Sequence, residues 1–437
     1  LESFDIDLEK LAPKFKWDLS PVYNMDYMGS SLKDHMDESI ISNFVRHDGD
    51  KEYYNCIPWA TGGSGILINY DLVGQKLGAN WENEYPCRTT NEFLQFIDAL
   101  KAAQIQPFVL VTNRDFYSPL YEAWWAQFEG FDGVENYFNA RYEDVNGDIQ
   151  EGPEAFLQGG ILQSLKVMEN IFSKESNRGK AYENWNTMQA AYMEGKSAMI
   201  VNGPWMNHEM TGKLGYNSID MRYIKTPLIS ALGAKLGLST YTTSHGSDMS
   251  DINYSISDET KFIEVIDYVD GKTTVKPSGV SDDVIERVID ARRMVVNQMD
   301  YSDTCIPSYS PKSEVALDFL KWMYSEEGQK EYVSASNGLY LPVENNYETN
   351  LNNFAKSHKE FTKNALFIYA NMAWKFSKAN LIAFTARNKA PVEYLLTGDS
   401  GVKIDNVPLD NAFSIYQYNK IYYTKGSNWS LLVNAAK

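Results

Sequence analysis

Along the chain, short apolar runs alternate with longer stretches in which apolar positions recur every three to four residues. That pattern predicts strands buried on both faces between amphipathic helices. Pro107-Phe108-Val109-Leu110-Val111-Thr112 reads as a strand ending in the polar loop Asn113 to Ser118, after which a helix runs from Pro119 to Glu129. Ahead of it, Thr89 and Glu92 stand at capping-box spacing, and Phe93, Phe96, Ile97 and Leu100 follow on one helical face. Ser197 to Asn202 is a second strand, closed by Gly203-Pro204-Trp205; Gly65 to Asn69 is a third, entered through a glycine-rich turn. All three read as units of a parallel sheet, which makes the fold class α/β. Ser310 and Pro311 form an N-cap and first-turn pair for a helix with an inward stripe at Ala316, Phe319, Leu320 and Met323. Residues 235–297 read as an elaboration, with a polar loop from Thr240 to Ser250 and a helical segment from Asp282 to Met294.

A length of 437 residues exceeds what one hydrophobic core serves, so two lobes are expected. The net charge of -18 argues against a nucleic-acid partner, because phosphate neutralisation needs a cationic surface. No apolar run reaches the roughly 20 residues that cross a bilayer, and Leu1 to Lys10 has no cationic-then-apolar signal pattern. Cys56, Cys87 and Cys305 are too scattered for a disulfide framework and read as buried thiols. The five histidines form no ligand-spaced pair. Asp144-Val145-Asn146-Gly147-Asp148 departs from a calcium loop in its glycine position and reads as an Asn-Gly turn. Neither a metal nor a cofactor is expected. Aromatic residues, at 14%, are the one compositional excess.

Three segments, in order, resemble the maltose-binding-protein-like family of extracellular solute-binding proteins. They are Glu52-Tyr53-Tyr54-Asn55-Cys56-Ile57-Pro58, then Trp59 to Gly65 and Ile66 to Leu72; Tyr192-Met193-Glu194-Gly195-Lys196-Ser197-Ala198-Met199 with Asn202 to Trp205; and Ala316 to Trp322 with Ser325-Glu326-Glu327-Gly328-Gln329. The resemblance implies a two-lobe, periplasmic-binding-protein-like (type II) fold with three interlobe crossings, near residues 61–65, 298–304 and 336–344. Lobe one would then hold residues 1–61 and 304–338, and lobe two residues 65–298 and 344–437. Family members open with a strand, a helix and a second strand that do not precede Leu1 here, so lobe one is expected to be incomplete. The resemblance further implies a monomeric, non-enzymatic binding protein that hands a carbohydrate ligand to the membrane permease subunits of an ABC importer. Its expected location is extracellular, lipid-anchored to the outer face of the cytoplasmic membrane, or periplasmic.

A sugar presents C–H faces and hydroxyl edges, so its site needs aromatic platforms flanked by polar side chains. In an open α/β sheet the ligand lies beyond the carboxyl ends of the strands. The strand ending at Thr112 would deliver Arg114, Asp115 and Tyr117 there, with Trp124 and Trp125 on the helix behind. Those two tryptophans point about 100° apart, so at least one belongs to the core. The strand ending at Asn202 would deliver Trp205, where the resemblance implies a stacking aromatic. Trp59 stands at the first crossing, Asp303 at the second and Tyr340 at the third, as contacts or as hinge residues. Two alternatives stay open. A glycoside hydrolase would need a carboxylate pair across the cleft, and nothing selects one among the 58 acidic residues. A peptide-binding relative would need charged anchors where the candidates are mainly aromatic.

Overall fold

Seven buried residues, Gly63–Asn69, form the central strand of a seven-stranded sheet. The structure is a computed structural model that describes residues 16–37, 41, 44–48, 50–60, 62–111, 117–173, 176, 178–244, 252–297, 303–336, 341–344, 347, 351–368, 395, 403–404 and 407–436. Across the sheet the order is Gly179–Tyr182, Phe108–Val111, Met199–Asn202, Gly63–Asn69, Met294–Asn297 and Leu366–Ile368. Met221–Tyr223 pairs with the distal half of the central strand. Phe108–Val111 runs parallel to both Gly179–Tyr182 and Met199–Asn202, and Met294–Asn297 runs parallel to Leu366–Ile368. The central strand alone opposes its partners. The parallel reading therefore holds for two of the three segments and fails for the third. A strand buried on both faces shows the same apolar run in either direction, so the pattern carries no sign of polarity.

The glycines that looked like a turn before that strand are part of it. A Cβ on Gly63 would lie 2.2 Å from Val295 Cγ1, and one on Gly65 would lie 2.6 Å from Phe361 Cζ. Their absence lets helix Asn353–Phe361 press directly onto the strand, where the Phe361 ring stacks on Tyr223 with centroids 5.1 Å apart. On the same sheet, helix Thr90–Ala102 begins as its spacing predicts, with the Thr89 hydroxyl accepting from the Glu92 amide. Ser118–Glu129 packs against helix Gly159–Phe172 and strand Met294–Asn297. That last strand lies inside the stretch read as an elaboration. Its four residues are buried in the main sheet; a run of Met-Val-Val-Asn directly after a helix is too short to break the helical periodicity visibly, so the pattern did not reveal it. Part of the segment read as a loop, Thr240–Ser244, is likewise a strand, paired with Asn253–Asp258.

The smaller lobe gathers the hairpin Val45–Asp48/Lys51–Tyr54, the pair Ile57–Pro58/Asp303–Thr304, and helices Ser313–Met323 and Glu326–Ser336. Tyr23 stacks on Tyr54 at 3.9 Å and donates its hydroxyl to the Cys56 carbonyl at 2.9 Å. In helix Ser313–Met323 the inward face is Ser313, Ala316, Leu317 and Leu320, continued by Tyr324, while Phe319 is exposed. Of the expected stripe, Ala316, Leu320 and Met323 do pack against the core and Phe319 does not; the helix starts at Ser313, later than Pro311 suggested, with the Ser310 hydroxyl accepting from the Lys312 amide. The Asn-Gly turn is as read: Asp144 Oδ1 accepts from the amides of Asn146 and Asp148 between strands Arg141–Glu143 and Ile149–Glu151. The thiols differ from expectation: Cys56 and Cys87 are buried, and Cys305 is exposed.

Candidate functional site

Register decides which end of the large sheet faces the other lobe. The chain leaves the small pair at Pro58 and enters the large sheet at Gly63; later it leaves at Asn297 and rejoins the small pair at Asp303. Gly63 is paired with Asn297 and Gly65 with Asn202. The carboxyl ends of Met199–Asn202 and Met294–Asn297 therefore stand beside the amino end of the central strand, at the connections to the smaller lobe. In open α/β sheets ligands bind outside the carboxyl ends of the strands, at such an edge.

Trp205 follows that edge directly. Met199–Asn202 ends where Asn202 Oδ1 accepts from the Gly203 amide, and Pro204 cannot continue a ladder. The Trp205 ring then folds back over Gly203: a Cβ there would lie 2.0 Å from its Cζ3. One indole face is thus laid on main chain and the residue stays half-buried. Behind it runs a polar chain. Asn202 Nδ2 donates to Gln189 Oε1 at 2.9 Å, and Gln189 Nε2 donates to Glu209 Oε2 at 3.4 Å. Glu209 sits one turn beyond Trp205, its amide donating to the Trp205 carbonyl at 2.9 Å, and burial pushes its carboxyl above the ordinary glutamate range. Trp205 and Glu209, four residues apart, thus share one helical face.

Other expected residues are distributed differently. Trp59 is half-buried in the connection between Pro58 and the large sheet, and exposed Asp303 pairs with Pro58, so the structure brings these two to the same crossing. Trp124 and Trp125 are both core, as is Tyr117. Trp124 Nε1 donates to the Pro227 carbonyl at 3.0 Å, Trp125 Nε1 to Gln158 Oε1 at 2.7 Å, and the Tyr117 hydroxyl to the Val109 carbonyl. With their polar atoms satisfied inside the lobe and no surface to offer, these three serve packing. Arg114, Asp115 and Tyr340 lie outside the described residues. Sequence reasoning missed Glu209 and Gln189. The signal was present for Glu209, a carboxylate four residues after the candidate platform, but Gln189 reaches the edge from another helix.

A cavity of about 780 Å³ lies beside the crossing, between residues 34–37 and 341–344 of one side and Gly62 with residues 356–367 of the other. Its lining mixes charged side chains such as Asp34, Asp37, Lys356 and Lys359 with apolar ones such as Met36, Leu341, Val343 and Phe367, and Trp59, Trp205 and Asp303 take no part in it.

The family model described as "Bacterial extracellular solute-binding protein" matches residues 1–330. Among solved structures, a chitin oligosaccharide binding protein aligns with a TM-score of 0.55 at 13% identity, over 97% of this chain and 81% of its own. RafE in complex with raffinose aligns at 0.53 and 15% identity, over 96% and 82%, and the ligand-free RafE of Streptococcus pneumoniae aligns at 0.53 and 15%, over 97% and 81%. At such identities the likeness is one of fold. No curated protein matches the chain in sequence.

Proposed function

Because the chain belongs to the bacterial extracellular solute-binding protein family, we propose that it captures a sugar or oligosaccharide between its lobes and delivers it to the permease subunits of an ABC importer. The observation that carries the carbohydrate reading is the half-buried Trp205 indole, one face on Gly203, at the lobe-facing edge of the sheet. In this reading Trp205 covers the C–H face of a sugar ring and Glu209 accepts from a hydroxyl at its edge. Trp59 and Asp303 approach from the crossing, and Arg114, Asp115 and Tyr340 remain candidate partners from neighbouring loops. The chain works as a monomer without a cofactor or catalysis, lipid-anchored outside the cytoplasmic membrane or free in a periplasm. The cavity near Gly62 has Phe367 in its lining, but that ring is buried and Trp59, Trp205 and Asp303 stand outside the cavity, so it is the weaker place for a sugar.

A thermal-shift screen against mono- and oligosaccharides tests this. A ligand at a hundred times its Kd stabilises the folded state by about 2.7 kcal/mol, which a melting curve resolves. At least one carbohydrate should raise the melting temperature and release no new reducing ends on long incubation. Stabilisation by peptides alone would replace the sugar reading. Turnover abolished by one Asp or Glu substitution would make the chain a glycoside hydrolase.

A further inference from the structure

The smaller lobe holds a second piece of chemistry, independent of the ligand. Ile57–Pro58 and Asp303–Thr304 are antiparallel, with Pro58 opposite Asp303 and Ile57 opposite Thr304. One step further along that register sets Cys56 across from Cys305. Directly opposed residues of an antiparallel pair have Cα atoms roughly 4.5–5.5 Å apart, within the span a disulfide bridges without backbone movement. The two side chains are within hydrogen-bonding reach of each other, and Lys16 Nζ stands 3.0 Å from Cys56 Sγ. Lys16 is held there by its own bridge to Pro307 and by the Trp17 amide donating to the Ile306 carbonyl at 2.8 Å.

We propose that Cys56 and Cys305 form a redox site at the hinge, where a disulfide-bearing oxidant converts the dithiol into a bond tying together the two strands that lead into the other lobe. The exposed Cys305 is the sulfur an oxidant meets first, and Cys56 waits behind it. Its thiol is drawn down to about 6, because its sulfur accepts the Cys56 S–H and lies near the Lys16 ammonium, whereas Cys56 is held in its protonated form by the same bond. The Cys305 thiolate attacks one sulfur of the oxidant, breaking its S–S bond and expelling one thiolate. Cys56 gives up its proton and attacks the Cys305 sulfur of the mixed disulfide, expelling the second. Two protein thiols become one disulfide as the oxidant becomes two thiols. An extracellular setting, which the family description names, is where such bonds persist.

The test uses the whole native chain and oxidised glutathione. After exposure, alkylation under denaturing conditions should count one thiol where the untreated chain has three, the intact mass should fall by two hydrogens, and peptide mapping should join Cys56 to Cys305. Buried Cys87, whose thiol lies 3.2 Å from the Tyr85 carbonyl, should be the thiol that remains. Cys56→Ser should retain glutathione on Cys305, because nothing resolves the mixed disulfide. Three thiols still alkylated after exposure would overturn the proposal, as would glutathione stably retained by the unsubstituted chain. A Cys56→Ser variant that takes up none would overturn Cys305 as the attacking sulfur.

Discussion

Trp124→Ala and Trp205→Ala delete the same indole from two environments, and the contrast tests how core and site are divided. Trp124 is fully buried, with its Nε1 on the Pro227 carbonyl. Truncating such a residue costs about 3–5 kcal/mol through lost contacts and the cavity left behind. The orphaned buried carbonyl adds about 1 kcal/mol or more. At roughly 2–4 °C per kcal/mol for a lobe of this size, the melting temperature should fall by about 10 °C or more. Trp205 is half-buried, and its removal uncovers Gly203 without hollowing the interior. Its melting temperature should stay within a few degrees of normal. If the half-buried indole stacks on a sugar, truncation should cost binding about 2 kcal/mol, roughly a thirtyfold loss of affinity. Calorimetric titration with a carbohydrate found in the screen, beside a melting curve of each variant, separates the two effects. A Trp205→Ala protein that melts far below normal yet binds unchanged would place that ring in the core and refute the site.

Two further outcomes concern charge. Burial raises the Glu209 carboxyl, so between the unfolded value near 4.5 and the higher folded value the native state holds more protons, and stability falls as pH rises through that window; Glu209→Gln should lack this fall when melting is followed from pH 4 to 7. Asp270 is buried against Arg292 at 2.8 Å; burial pushes its carboxyl up, but Arg292 and Lys225 hold it below the aspartate range. Arg292→Met should lower urea stability by about 3 kcal/mol, because the carboxylate is left buried without its main partner. The wild-type bridge should weaken as pH drops below about 4, where the unfolded Asp270 binds a proton the folded one refuses. A variant as stable as the parent at pH 7 would mean that water satisfies Asp270.

Local pattern made much of the scaffold legible. Thr89 caps its helix, Phe108–Val111 and Met199–Asn202 are strands, and the turn at Asn146-Gly147 closes a hairpin, because each of these local features depends on neighbours a few residues away. Strand direction did not follow, since Gly63–Asn69 owes its reversal to the chain arriving from the other lobe. The aromatic candidates show the same limit. Tyr117, Trp124 and Trp125 were near a strand end in sequence, yet the helix carrying two of them packs between the sheet and Gly159–Phe172, which turns their rings inward. Burial of a side chain on a central helix depends on what covers its far face, and that comes from residues distant in sequence, such as Gln158, 33 positions from Trp125, and Pro227, 103 positions from Trp124. The Cys56–Cys305 pairing was hidden for the same reason: about 250 residues separate two thiols that one strand register brings together.

Gly203-Pro204-Trp205 shows what local sequence can encode when no distant partner is needed. Gly203 is absent from the positive-φ glycines, so a left-handed turn does not explain its lack of a side chain. Close approach does, because any Cβ would enter the indole ring. Pro204 removes a ladder donor and ends the strand at the sheet edge, so the next residue starts the run into His208–Lys213 with its ring directed back along the chain. A ring laid on main chain has little rotamer freedom left to lose, so stacking a sugar on its open face would carry a small entropic cost. The buried tryptophans have no such face, whatever their size. Among the described tryptophans it is Trp205 whose ring lies over a glycine at the place where a buried strand stops, and the proposed stacking role rests on that arrangement.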